Sequence, residues 1–152
     1  MLSTQYLIMQ NLPFSKTDQE RIVAAIRNAE MATSGEVRVH IEQSCSETNA
    51  IERAKQVFTQ LGMHQTALKN GVLFYLAFGD RKFAVLGDKG IDERVPAGFW
   101  DAIRDQMRAH FMKEAFSEGL STGIEQAGQQ LKKYFPRQDN DTNELSDDIS
   151  FG

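Results

Sequence analysis

The sequence predicts an α/β fold, a small mixed sheet of three to four strands covered by helices on both sides. Three observations predict it. Residues 36–42, Glu-Val-Arg-Val-His-Ile-Glu, alternate strictly between polar and apolar side chains, the period of a half-buried strand. Residues 72–78, Val-Leu-Phe-Tyr-Leu-Ala-Phe, are apolar on both faces, as a central strand covered on both sides must be. An amphipathic helical stretch lies between them, and a strand–helix–strand unit of this kind closes as a right-handed parallel crossover.

The elements follow in order. Thr17 and Glu20 have capping-box spacing, and Ile22, Val23, Ile26 and Ala29 then recur at helical intervals, predicting a first helix to about Met31. Thr33-Ser34-Gly35 breaks it before the first strand, whose Val37, Val39 and Ile41 share one face and Arg38 and His40 the other. Beyond a polar loop, Ile51, Ala54, Val57, Phe58 and Leu61 form the apolar stripe of a second helix that Gly62 stops. Asn70-Gly71 turns into the central strand. Gly79-Asp80-Arg81 then supplies tight-turn chemistry, and Lys82 to Leu86 returns as a hairpin partner. After Gly87-Asp88-Lys89-Gly90 a short turn through Ile91 to Val95 meets Pro96. Phe99, Trp100, Ile103, Met107, His110 and Phe111 line a third major helix. A fourth opens at Phe116 with Leu120, Ile124, Ala127, Leu131 and Tyr134 on its buried side, and Pro136 ends it. Its Gly119, Gly123 and Gly128 each cost about 1 kcal/mol of helix propensity relative to Ala, which points to close helix contact there.

Composition bounds the possibilities. A chain of 152 residues that is 41% hydrophobic and 25% charged fits one domain able to bury a core without staples. With Cys45 as the sole cysteine, no intrachain disulfide and no cysteine-based zinc site can form. The longest apolar run is far too short to span a bilayer, and the N-terminal stretch has neither the basic start nor the cleavage pattern of a signal peptide. A cytoplasmic location is the expectation. Residues 1–135 balance 16 basic against 16 acidic side chains, so the net charge of −4 sits entirely on residues 136–152. No basic face is available for a phosphate backbone, which argues against nucleic acid as a partner. The predicted organisation is an N-terminal extension (1–16), a domain (17–136) and an acidic, disordered tail (137–152). Ile149 and Phe151 are the tail's only sizeable anchors, and its charge offers a contact for a protein partner.

Strand directions place the candidate site. The hairpin returns Asp88 to the edge of the sheet that holds Glu36, and Asp101 opens a helix close by in sequence. Asp80 and Arg81 fall at the opposite edge, near Ser44, Cys45 and Glu47. Convergent carboxylates repel by roughly 4 kcal/mol at 4 Å and an effective dielectric of 20, so a cluster takes up protons, a basic side chain or a cation. Oxygen-only donors suit Ca²⁺ or Mg²⁺. Asp88, Asp101 and Glu36 are therefore candidate metal ligands, with Asp80 a fourth carboxylate of the same motif, and Lys89 and Arg81 could neutralise charge on a phosphate ester. The structural alternative is that Asp88 makes a turn, Asp101 charges a helix start and Glu36 is a solvated strand end.

Other chemistries lack their residues. His40, His64 and His110 have no ligand spacing and read as surface or partly packed side chains. Ile51 stands where a cysteine phosphatase needs Arg six positions after Cys45. No phosphate loop or dinucleotide fingerprint is present. Asp139-x-Asp141-x-Asn143 opens like a calcium-binding EF-hand loop, but Glu144 replaces its Gly and Ser150 its bidentate Glu.

SGEVRVHI after the first helix, NGVLFYLAFGDRKFAVLGDKGI in the middle and the F-x-x-G-L-x-x-G-I pattern of residues 116–124 resemble the TPM domain family, over about residues 17–135. The resemblance implies a three-layer α/β/α sandwich, divalent-cation binding and, through the plant member, an acid phosphatase activity. Asp80 and Arg81 match the family's hairpin-turn pair, Gly87 and Gly90 its glycines after the hairpin, and Asp88 and Asp101 its acidic positions in short bacterial forms. Two functions follow as expectations. One is a cation-binding domain with possible metal-dependent phosphatase activity. The other is a non-catalytic interaction module that assists assembly or repair of a larger complex.

Overall fold

The computed structural model describes residues 13–138 and 144–152. Helix α1 (Lys16–Ala32) begins at Ser15, whose hydroxyl accepts from the Asp18 amide while Asp18 Oδ2 accepts from the Ser15 amide, both at 3.0 Å. This capping box lies two residues before the predicted Thr17–Glu20 pair. Both pairs have the spacing. Phe14, buried against Phe78 and Phe116, pins the chain just ahead of Ser15 and so selects the earlier start.

Strand β1 (Glu36–Glu42) is followed by α2 (Ala50–Gln60), a single 3₁₀ turn (Met63–Gln65) and β2 (Gly71–Ala77). β3 (Lys82–Gly87), α3 (Lys89–Arg94), α4 (Asp101–Met112), α5 (Phe116–Leu131) and β4 (Ser150–Phe151) complete the fold. The sheet order is β3-β2-β1-β4, with β1 parallel to β2 and to β4, and β3 antiparallel to β2. The predicted crossover and hairpin are therefore both present, and β2 is central and buried throughout. Residues 91–94 of the expected 91–95 turn belong instead to the short helix α3, which Asp88 caps through the Lys89 amide and Val95 closes.

The sheet separates two apolar layers. Val37, Val39, Ile41, Val72, Phe74, Leu76 and Val85 face α1, α4 and α5. Leu73, Tyr75, Ala77 and Ala84 face α2 through Ala54, Val57 and Phe58. This is the three-layer sandwich. No helix among the described residues is long and apolar enough to cross a membrane.

The tail departs from expectation. Residues 144–152 lie along the outer edge of β1, with His40 opposite Ser150 and Ile41 opposite Phe151, and the Gly152 amide donates to the Ile41 carbonyl at 2.9 Å. Leu145 packs on the α2 side, whereas Ile149 and Phe151 pack on the α1 side. Disorder therefore does not describe this part of the tail. The reason is complementarity: the amides of Glu144 and Leu145 find the Glu36 carboxylate, and Asp147 pairs with Arg27 at 3.6 Å. Residues 139–143 and 1–12, which hold the rest of the predicted tail and most of the predicted extension, lie outside the described residues.

The glycines of α5 are contact positions. A methyl group on Gly119 would meet the Phe111 ring at 2.6 Å, one on Gly123 the Met107 sulfur at 2.6 Å, and one on Gly128 the Ala29 Cα at 2.7 Å. The first two neighbours are side chains that can turn aside, whereas the third is main chain of α1. Gly128→Ala should therefore lower stability by about 1–3 kcal/mol, overpacking outweighing the helix-propensity gain of about 1 kcal/mol. A urea midpoint unchanged or raised in Gly128→Ala would show that α1 and α5 are not held at this distance.

Candidate functional site

Each end of the sheet carries carboxylates, and the two ends differ in what meets them. At the end where β3 finishes, Asp88 is the N-cap of α3: its Oδ1 accepts from the Lys89 amide at 2.7 Å, and its amide donates to Gly71 at 2.8 Å. Its second oxygen, Oδ2, is buried without a hydrogen-bond partner. One turn on, Asp92 directs its carboxyl back toward Gly87, where a Cβ would lie 3.4 Å from Oδ1. Burial raises the Asp92 pKa and the Asp88 charge raises it further, while Arg104 opposes both. Asp92, Asp101 and Arg104 line one shallow depression beside this corner.

Glu36 is at the same end of the sheet as Asp88 but does not join it. The residue pairs with Gly71 on β2, and Asp88 lies beyond β3, so two strand spacings of about 4.8 Å each intervene. Its Oε1 is taken by the Glu144 amide and, at 2.9 Å, the Leu145 amide. Among the described residues no three His, Cys, Asp or Glu side chains are grouped so as to hold a metal ion. The convergence of Glu36, Asp88 and Asp101 is thus replaced by a pair, Asp88 and Asp92. Asp92 was open to detection from its i, i+4 spacing to Asp88, once α3 is read as a helix.

Asp80 and Arg81 stand at the far end. Asp80 Oδ2 accepts from the Cys45 amide at 2.7 Å, which ties the hairpin turn to the loop after β1. Arg81, with φ of 55°, is in the left-handed region and pairs with Glu114 at 2.9 Å on the surface. Arg81 and Asp88 are separated by the length of β3, roughly 20 Å, and cannot act on one phosphate together.

This far end also holds a network that periodicity did not reveal. Glu42, 5% exposed, accepts from Arg53 Nε at 2.9 Å and Nη2 at 2.8 Å, from the Tyr75 hydroxyl, and from His40 Nε2 at 3.1 Å. Burial alone would push its pKa up, but the bonds from Arg53, Tyr75 and His40 outweigh it and bring the carboxyl down from 4.5 to about 2. Burial raises the Tyr75 pKa, with Glu42 adding to it, and Glu42 raises that of Arg53. Burial also lowers the His40 pKa, more than Glu42 raises it, so the ring is neutral. A carboxylate can only accept, hence Nε2 carries the proton and Nδ1 accepts from the Ser150 hydroxyl at 2.9 Å. His40 is therefore not a surface residue; it stacks on Tyr75 at 6.1 Å between ring centres.

These features define an α/β/α domain whose acidic corner and hairpin turn lie at opposite ends of one short mixed sheet. The TPM domain model matches residues 10–130, and the chain belongs to the TPM domain family. Its structure is similar to that of the BA42 protein from the psychrophilic bacterium Bizionia argentinensis, at 44% identity and a TM-score of 0.87, covering 93% of this chain and 97% of that one. The N-terminal domain of a P. gingivalis protein shares the fold at 23% identity and a TM-score of 0.65, covering 80% of this chain and 78% of that one. So does the N-terminal domain of the cg2496 protein from Corynebacterium glutamicum, at 14% identity and a TM-score of 0.61, covering 88% and 82%. No curated protein matches the chain.

The network predicts two acid-sensitive windows. His40 is neutral when folded but takes a proton near 6.5 when unfolded, so the unfolded chain binds more protons and stability falls as pH drops below 6.5. Glu42 contributes stability that is present above 4.5 and lost as pH falls toward 2, roughly 3 kcal/mol at about 1.36 kcal/mol per pKa unit. Urea unfolding from pH 7 to 2 should show both. In Glu42→Gln the lower window should flatten, and an unaltered slope there would remove Glu42 from the account.

Proposed function

We propose that this TPM domain takes up a divalent cation, Ca²⁺ or Mg²⁺, at the corner formed by Asp88 and Asp92. The observation that carries the reading is Asp88 Oδ2, a buried carboxylate oxygen without a partner beside a second carboxyl that its charge already perturbs. An unpartnered buried oxygen of this kind needs compensation, and a cation supplies it to both groups at once. Donors that are all oxygen favour a hard cation, with main-chain carbonyls and water completing the shell of Ca²⁺ or Mg²⁺. Asp101, which lines the depression with Asp92, is a further candidate. Glu36 and Asp80 are not part of the proposal, because main-chain amides already occupy an oxygen of each.

Phosphate ester turnover is a weaker extension. Of the two basic side chains that sequence offered for it, Lys89 adjoins Asp88 while Arg81 sits at the other end of β3. A second reading, as an interaction module, is favoured by one observation: a peptide segment, the tail, is bound along β1 by main-chain and side-chain contacts.

Titration with Ca²⁺ followed by amide NMR tests the proposal. Shifts should centre on residues 87–92 and 98–101, and at about 100 times the dissociation constant the unfolding free energy should rise by roughly 2.7 kcal/mol. Asp88→Asn should abolish that gain and Asp80→Asn should retain it. A gain that survives Asp88→Asn, or shifts centred on 44–47 and 79–82, would move the site to the other end of the sheet.

A further inference from the structure

The face of β1 that looks toward α2 carries Glu36, Arg38, His40 and Glu42, four ionisable side chains in succession. The neighbouring face of β2 is Leu73, Tyr75 and Ala77, which α2 covers. α2 packs over β2 and β3, and the tail covers the charged stripe. A strand meant only for a core would not be built this way.

The tail reads the stripe group by group. The amides of Glu144 and Leu145 satisfy Glu36, the Ser150 hydroxyl satisfies His40 Nδ1, and the Gly152 main chain lies so close that a Cβ would meet Glu42 Oε1 at 2.6 Å and His40 Nε2 at 2.7 Å. Yet the fit is incomplete. β4 pairs through two residues only, Arg38 Nε is buried without a partner, and a groove of about 430 Å³ remains between α1 and Asp148, Ile149 and Phe151. Continuing the parallel register two residues would set Asp148 beside Arg38, but the ladder stops short of it and Asp148 instead lines the groove along α1.

We propose that the charged face and outer edge of β1 form an acceptor site for an extended segment of a partner protein, which residues 144–152 occupy in cis. The partner segment adds as a parallel strand and carries the tail's own chemistry: an acid opposite Arg38, a hydroxyl two residues later over His40, and large apolar residues on either side of that hydroxyl. A longer ladder, the unused Arg38 donor and the open groove along α1 give such a segment contacts that the tail does not make. The tethered tail competes with it, so the site is masked until the partner's concentration rivals the tail's effective concentration, on the order of millimolar.

The test uses the full chain and a synthetic peptide of residues 144–152, ELSDDISFG, as probe. Adding excess unlabelled peptide to the isotopically labelled protein should move the amides of 150–152 toward free-peptide positions, while those of 36–42 shift little. In a full chain with Ile149→Asp and Phe151→Asp, which weakens the tail's apolar anchors, the peptide should bind at 36–42 at least about ten-fold more tightly than in the wild type. A scrambled peptide should do neither, and replacing the serine over His40 by alanine should weaken binding several-fold. Tail amides that stay in place at several millimolar peptide would overturn the proposal, whether or not the double variant folds. A concentration-dependent dimer with exchanged tails, in the absence of peptide, would also overturn it by assigning the site to a second copy.

Discussion

The carboxylate of Glu42 is buried at the end of β1, and three elements are fixed by the need to satisfy it. An isolated charge in that position would be too costly to keep. Arg53 comes from α2, Tyr75 from β2 and His40 from β1 itself, so the parallel strand pair and the crossover helix are locked by one group. Through His40 the same network reaches Ser150 and fixes the position of the tail. A buried polar network is stabilising only when each member is satisfied, and here the neutral tautomer of His40 lets it donate at one nitrogen and accept at the other.

Much of this domain was legible in its residues. Period-two alternation in 36–42, the apolar run of 72–78 and the turn chemistry of Gly79-Asp80 specify strand, direction and hairpin, and the glycines of α5 announced close helix packing. The two edges of the sheet could also be told apart, because direction follows from topology. What could not be read was cover. Alternation puts Glu36, Arg38, His40 and Glu42 on one face but is silent on whether that face is wet. The acidic tail looked disordered because composition counts apolar area, and it holds few apolar residues. Its few apolar residues, Leu145, Ile149 and Phe151, do pack on the domain, but they are joined there by main-chain amides on Glu36 and a hydroxyl on His40, groups that a hydropathy pattern does not weigh.

The same limitation shaped the candidate site. Placing Asp88 and Glu36 at one end of the sheet said nothing of the two strand spacings between them, or of the amides that Glu36 already serves. Asp92 was missed for a simpler reason. Reading 91–95 as a turn hid the helical turn that brings Asp92 back beneath Asp88.

The sheet order places a late-made segment at an edge. β1 meets β2 across a single crossover helix, but it meets β4 only after about 110 further residues have been made. Until then β1 is an open edge, the kind of surface on which nascent chains pair with one another. Ionisable side chains pointing from an uncovered strand are a known deterrent to such pairing, because a second sheet laid there would bury them unmatched. The stripe that looks ill suited to an interior is thus well suited to the interval before the interior is finished. A protective charge pattern on the growing chain becomes, in the completed one, a set of sockets.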